Sequence, residues 1–254
     1  MTHYVSDAYK LVAEQMFQRH YELPIRAHAE RYTFFEMLGD CSSTSVLELA
    51  CGEGWYPRQM KRKGAARVLG VDLSVRMIEF AKLREQREPL GVEYRVADMT
   101  TVGQIDQFDF VTAQFMFNYP SNRDQFQGAC NTIAANLKPG GRFVCMIFNP
   151  FMSPIGPSMR KYGVNLILPE PLLDGEPIAE QVYLDDGDTP TIENTDYYYW
   201  APTTYITSLN FAGMTDVRWH AAQISPEGLR ELGAGYWADF LKYPSIIGIT
   251  AVKG

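Results

Sequence analysis

The nine residues VLELACGEG, Val46 to Gly54, decide how the rest of the chain is read. Apart from Glu48, Val46 to Ala50 is an unbroken apolar run, the composition of a strand covered on both faces. Cys51-Gly52-Glu53-Gly54 follows at once. Two glycines one residue apart permit a tight turn and a close approach of backbone to a ligand. Such a turn at the carboxyl end of a strand opens the crevice in which open α/β sheets bind. A GxG after a strand is equally well an ordinary strand-to-helix turn, so its meaning depends on its surroundings.

Those surroundings repeat one pattern. Apolar runs at 45–50, 67–71, 92–97, 108–114 and 142–148 are separated by helix candidates at 56–63, 75–86 and 124–137. Strand and helix alternating this regularly predict parallel βαβ units in a doubly wound sheet. Lys138-Pro139-Gly140-Gly141 supplies breakers that end the last long helix. Upstream, residues 1–40 read as helical, with one helix from Ala8 to Phe17 and a second opened by Pro24 and running to Leu38-Gly39. Residues 149–200 break the pattern, being rich in Pro, Gly, Asp and Tyr, and read as an elaboration over the sheet. Pro202 suits the first turn of a helix ending near Gly213. Thr215–Ala221 and Ser245–Val252 then read as two strands, joined by a loop-rich connection into an antiparallel pair. The expectation is one domain over 1–254: a helical lid (1–40), a core (41–148), a cap (149–201) and a C-terminal helix with strands (202–254).

Composition removes several classes. A chain of 254 residues, 46% of them hydrophobic, buries one good core. The 23 Lys and Arg against 30 Asp and Glu leave a net charge of −7, which disfavours extended nucleic-acid binding. No run of eighteen apolar residues is present, and MTHYVSDAYKLVAEQ at the start lacks the apolar centre of a secretory signal. Cys41, Cys51, Cys130 and Cys145 form no CxxC pair, and His3, His20, His28 and His220 have no HxxxH spacing. A reducing cytoplasm without a structural metal is the expectation. The 4 Trp, 15 Tyr and 14 Phe are numerous enough either to enlarge the core or to line a pocket for a flat ligand.

Three carboxylates give the GxG turn a chemical meaning. Asp72 ends the second strand, in Val-Leu-Gly-Val-Asp-Leu-Ser, where it can accept two ribose hydroxyls. Asp98 ends the third, and Glu48 lies inside the first motif, where a ligand ammonium would favour it. A nicotinamide dinucleotide also uses a glycine-rich turn and an acidic second strand. Its third glycine, however, would fall at Pro57, and it calls for neither Glu48 nor Asp98.

VLELACGEG (46–54), VLGVDLS (68–74), VEYRVADM (92–99), FDFVTAQFMFNY (108–119) and LKPGGRFV (137–144) resemble, in order and spacing, the class I S-adenosylmethionine-dependent methyltransferases. The resemblance covers about 40–150. It implies a Rossmann-like, doubly wound seven-stranded α/β sheet, mostly parallel with an antiparallel C-terminal strand pair, plus an N-terminal helical lid and a cap insertion. It implies S-adenosyl-L-methionine as cofactor and S-adenosyl-L-homocysteine as product. Glu48 would face the methionine amino group, and Ala50, Cys51, Gly52 and Gly54 would back the cofactor. Asp72 would hold the ribose, Leu73 or Met77 would pack on the adenine, and Asp98, between Ala97 and Met99, would meet the adenine amino group. Gln114 and Phe115 would line the cofactor near the sulfonium. Relatives often carry a further glycine just after Gly54, where this chain has Trp55 and Tyr56.

The stretches 13–40 and 228–252 resemble the toxoflavin synthase-like small-molecule methyltransferases, which methylate a ring nitrogen of a flat heterocycle. That likeness implies that Tyr9, Met16 and Arg26 close over the cofactor, with Arg26 near its carboxylate. Met16 stands where relatives often have Tyr.

Methyl transfer from a sulfonium needs acceptor, methyl and sulfur held in line and water excluded. A ring nitrogen needs little beyond positioning, whereas a phenol or carbon acid calls for a base. His28 on the lid helix and Tyr119 after the fourth strand are the candidates for catalysis. Phe117, Asn118, Tyr197, Tyr199 and Trp200 are those for acceptor binding. If Tyr197-Tyr198-Tyr199-Trp200 is a strand, its alternate side chains face opposite sides, and one pair stacks on a planar acceptor. The expectation is a small, planar aromatic acceptor methylated at ring nitrogen, with no nucleic-acid or membrane partner. Methylation at oxygen or carbon, and cofactor binding without turnover, are the alternatives.

Overall fold

The computed structural model describes residues 7–185 and 187–254, with side chains from residue 15 onward. β1 (Ser45–Leu49) lies near the middle of a seven-stranded sheet. It pairs in parallel with β2 (Arg67–Asp72) on one side and β4 (Phe108–Gln114) on the other. β3 (Val92–Val96) continues beyond β2 and β5 (Leu137–Phe148) beyond β4, both parallel. β10 (Ile246–Lys253) runs antiparallel between β5 and β9 (Met214–Ala221). The order β3-β2-β1-β4-β5-β10-β9 reverses direction of travel between β1 and β4. That reversal leaves a crevice at the carboxyl ends of those two strands.

Both faces of the sheet are covered over its inner strands, which is why these read as largely apolar runs. Val46, Val68, Phe110, Val144 and Met146 belong to one buried cluster, and Leu47, Leu69, Val111, Phe143 and Cys145 to the other. The first cluster packs under α2 (Arg31–Leu38) and α3 (Trp55–Arg62), and the second under α5 (Arg123–Ala135) and α6 (Pro202–Phe211). α4 (Val75–Arg87) lies against β2 and β3, its first turn capped by the Ser74 hydroxyl accepting from Met77 N–H. α1 (Asp7–Glu22) is followed at Pro24 by one wide helical turn, Ile25–Glu30, which turns Arg26 and Glu30 inward. Among the described residues no helix is long and apolar enough to cross a membrane.

Two local expectations change. Lys138-Pro-Gly-Gly lies within β5, not at the end of a helix. α5 already stops at Ala135, because the Asn136 side chain accepts from Ile105 and Asp106 N–H and donates to Gly103, taking the chain away from the helix axis. The connection between β9 and β10 is helical, with α7 (Pro226–Leu232) and α8 (Ala234–Lys242). Ser225 caps α7 by accepting from Gly228 N–H, and Gly233, at φ +80°, separates the two helices.

Residues 149–200 supply a second, antiparallel sheet in the order β6 (Val164–Ile167), β7 (Pro177–Val182), β8 (Ile192–Tyr198). Along β7, Ile178, Glu180 and Val182 share one face and are buried. An inward glutamate between two inward aliphatic residues is an expensive arrangement unless it has partners.

Candidate functional site

The site begins where β1 ends. Ala50, Gly52 and Gly54 all have positive φ, at +54°, +56° and +84°. Ala50 is held in a region L residues seldom adopt, and Gly54 allows no side chain at all. A Cβ there would lie 2.4 Å from the Tyr94 hydroxyl of β3. The loop is fastened by Asp72, whose carboxylate accepts from Gly52 N–H and from Ser74 N–H, each at 2.8 Å. One oxygen serves each bond, so lone pairs remain for further donors.

Beneath this loop lies a cavity of about 610 Å³ between the sheet ends, α1 and the cap sheet. Glu48, Ala50, Cys51, Gly52, Asp72, Leu73, Met77, Ala97, Asp98, Met99, Gln114 and Phe115 all line it, as does Arg26. Gly54 shapes the loop from behind. Glu48 sits at mid-strand opposite Gly70 and Thr112, and accepts from the Thr112 hydroxyl. Burial pushes its carboxyl up to about 8, only partly opposed by that hydrogen bond. Asp98 accepts from Thr100 N–H and its hydroxyl through one oxygen, leaving the other open. Both amide atoms of Gln114 are buried without a partner. A native structure seldom leaves such a group unsatisfied, and this one faces the cavity.

The opposite end is built from the wide turn, the loop after β4 and the cap. Phe115 (φ +55°), Phe148, Tyr197 and Tyr119 form a chain of rings with neighbouring centroids 5.0, 5.5 and 5.1 Å apart. The Tyr119 and Tyr197 hydroxyls lie 3.4 Å from one another. Burial, with Glu180 nearby, pushes the Tyr197 phenol far up, so it stays neutral. Arg26 sits over the Phe115 ring, its guanidinium carbon 4.6 Å from the centroid. Its two terminal nitrogens donate to Glu30 and, at 2.9 Å, to Glu180 of β7. The second oxygen of Glu180 accepts from Asn194 of β8 at 2.8 Å.

α1 closes one side with Phe17, His20 and Tyr21. Tyr21 stacks on Trp55 at 5.2 Å and donates to Glu53, which also accepts from Arg84 at 3.1 Å. Burial, then Arg26 and Arg31, lowers the His20 imidazole to about 3, so it is neutral.

Several expected residues stand elsewhere. His28 is directed away from the cavity: its Nδ1 is 3.0 Å from the Ser225 hydroxyl, and its ring meets Trp237 edge-on. The wide turn at Ile25–Glu30 rotates Arg26 inward and His28 toward α7. Met16 is exposed and does not line the cavity; the next residue, Phe17, does. Phe117 stacks on Phe126 within the sheet core, and Asn118 is buried beside it, its Oδ1 without a partner, also off the cavity wall. β8 ends at Tyr198, so strict alternation stops before Tyr199 and Trp200. Tyr199 donates to Pro150 O, and Trp200 donates to Pro120 O from within the core. The side chain of Tyr9 lies outside the described residues. Arg26 reaches the cavity, but its terminal nitrogens are engaged by carboxylates of this chain and only Nε is unpartnered.

Glu30, Phe148, Glu180 and Asn194 were not anticipated. Glu180 had a readable signal, a charge at an inward position of an apolar-alternating strand, once 177–182 is taken as a strand. Its pairing with Arg26, 154 residues earlier, has none.

Residues 46–141 match a family model described as a methyltransferase domain. The ubiquinone biosynthesis O-methyltransferase of Bradyrhizobium sp. (strain ORS 278) is 32% identical over 108 residues, which are 42% of this chain and 41% of that protein. The demethylmenaquinone methyltransferase of Tropheryma whipplei (strain Twist) is 32% identical over 154 residues, 60% of this chain and 62% of that protein. The chain thus spans about two-fifths to three-fifths of the length of these relatives. An S-adenosylmethionine-dependent methyltransferase from Mesorhizobium loti superposes with a TM-score of 0.63 at 20% identity, covering 88% of this chain and 97% of the other. One from Clostridium acetobutylicum ATCC 824 gives 0.67 at 15% identity, covering 95% and 99%. These two structures share the fold.

Proposed function

We propose that this chain, whose residues 46–141 match a methyltransferase domain, is a class I methyltransferase that transfers a methyl group from S-adenosylmethionine to a small, planar aromatic or heterocyclic acceptor at a ring nitrogen. The supporting observation is one cavity with two unlike ends: open carboxylates and an unpartnered amide at the strand ends, and four aromatic rings under the cap.

The residues at the first end fit a cationic ligand that bears hydroxyl groups. Asp72 has acceptor capacity left for a diol, Asp98 has an open oxygen, and Glu48 is a buried carboxyl with no cation bonded to it among the described residues. Gln114 offers a free donor and a free acceptor. Bound there, S-adenosylmethionine supplies a methyl group on a positively charged sulfur that leaves readily. Leu73, Met77 and Met99 give an apolar surface for a purine, and the α1 residues exclude water by closing over the loop.

The acceptor end offers aromatic rings for positioning and, among the described residues, no histidine or phenolate base. His28 is elsewhere, His20 is too weak a base once buried, and Tyr197 holds its proton. Phe115, Phe148 and the two tyrosines would instead hold a flat ring, each ring contact contributing about 1 kcal/mol. A nitrogen lone pair needs no more. Transfer to oxygen or carbon is the second reading, and the O-methyltransferase name of one relative favours oxygen. Incubation with methyl-labelled cofactor and a panel of azaheterocycles and phenols separates the two. Label on ring nitrogen is the expected result, and label confined to phenols would overturn the nitrogen assignment.

A further inference from the structure

The acceptor end carries a charge that the reading above does not use. Among the described residues lining the cavity there are six carboxylates and one fixed cation, Arg26. Glu30, one helical turn from Arg26, already pairs with it. Glu180 is therefore in electrostatic excess: it arrives from the cap sheet, is only 2% exposed, and shares a cation that another carboxylate neutralises. Taking such a charge out of water is costly unless something else compensates it. Its two oxygens each accept one hydrogen bond, from Arg26 and Asn194, which leaves lone pairs unused. The rings beside Glu180 present negatively polarised faces, which favour cations and N–H edges.

We propose that Glu180 sets acceptor specificity, taking a hydrogen bond from an N–H of a neutral or cationic nitrogen heterocycle, and that the Arg26–Glu30–Glu180 group excludes anionic acceptors. The proposal rests on the methyltransferase reading and deepens it. Asn194 positions Glu180, and Tyr197 forms the neighbouring wall. An aromatic carboxylate placed there would meet a net negative charge and find no free cation among the described lining residues.

The test uses the full chain saturated with S-adenosylhomocysteine and measures by calorimetry the affinity of two probes, benzimidazole and naphthalene-2-carboxylate. Wild-type protein is expected to bind benzimidazole at least ~10-fold more tightly, the worth of one charge-assisted hydrogen bond. Glu180→Gln is expected to shrink that ratio by about 10-fold, and Asn194→Ala, which removes the donor that positions Glu180, to shrink it by a smaller factor. Affinity for S-adenosylhomocysteine should stay within ~3-fold in both variants. Equal affinity of wild-type protein for the two probes overturns the proposal, as does a ratio unmoved by Glu180→Gln. If Glu180→Gln does not fold, an unmoved ratio in Asn194→Ala overturns it. Failure of S-adenosylhomocysteine itself to bind wild-type protein is a different result, which removes the methyltransferase reading on which the proposal stands.

Discussion

Glu48 shows how one residue ties the sheet to the chemistry. Its neighbours in β1 are Leu47 and Leu49, its cross-strand partners are Gly70 and Thr112, and it is almost completely buried. Burial holds the proton on to about pH 8. A ligand ammonium would favour the ionised form, so binding would release that proton. Affinity for S-adenosylhomocysteine is therefore expected to rise between pH 6 and pH 8, as the free protein approaches the pH at which Glu48 gives up its proton unaided. Calorimetry in buffers of different ionisation heat measures both the slope and the proton released. Glu48→Gln should bind more weakly, with a flat profile. A flat profile in wild-type protein, or an unchanged slope in the variant, would remove Glu48 from the cofactor site. At the same scale, Asp72 was legible because it ends an apolar run, so the strand itself fixes where the carboxylate lies, and Asp98 because it follows the next strand at the equivalent place.

Among the elements, the inner parallel strands β1, β2 and β4 were readable because both faces are covered and the runs are largely apolar, whereas β3, Val-Glu-Tyr-Arg-Val at the sheet edge, was readable from its place in the repeat. α7 and α8 were not, since each is short and their course depends on Ser225 and Gly233 rather than on a long apolar stripe. The wide turn Ile25–Glu30 could not be foreseen either. Helical spacing alone cannot tell that Arg26 faces the cavity while His28 faces α7. His28 there holds two elements together: its carbonyl accepts from Ser225 N–H at 2.8 Å, and its ring packs against Gly228, where a Cβ would lie 2.6 Å from the His28 Cβ and Cγ. His28→Ala is accordingly expected to cost about 1–3 kcal/mol of stability in chemical denaturation, by loss of packing and of the half-buried contact between Nδ1 and the Ser225 hydroxyl. The methyl-transfer rate at saturating substrates should remain close to wild type. A large fall in that rate with unchanged stability would restore the histidine to the site.

Across the whole molecule, the cavity is assembled from segments far apart in the chain: α1 and the wide turn, the ends of β1 to β5, and the cap strands β7 and β8. The cofactor end lay open to sequence reading because it follows strand ends at regular spacing. The acceptor end did not, because its contacts join residues such as Arg26 and Glu180 through tertiary packing alone. The aromatic content divides the same way. Phe117, Phe126, Trp200 and Tyr205 pack on one another in the core, and of the run from Tyr197 to Trp200 only Tyr197 lines the cavity. The acidic balance also acquires a location, since Glu48, Asp72 and Asp98 line the end intended for a cationic cofactor and Glu30 and Glu180 the acceptor end. Titration of S-adenosylhomocysteine into wild-type protein and Asp72→Ala tests this account most directly. Binding in the micromolar range at about one site per chain is expected, weakened ~10- to 100-fold in the variant by loss of the diol's carboxylate partner. No binding to wild-type protein at ~500 μM, an affinity of only about 4.5 kcal/mol or less, would contradict it, and so would equal affinity in Asp72→Ala.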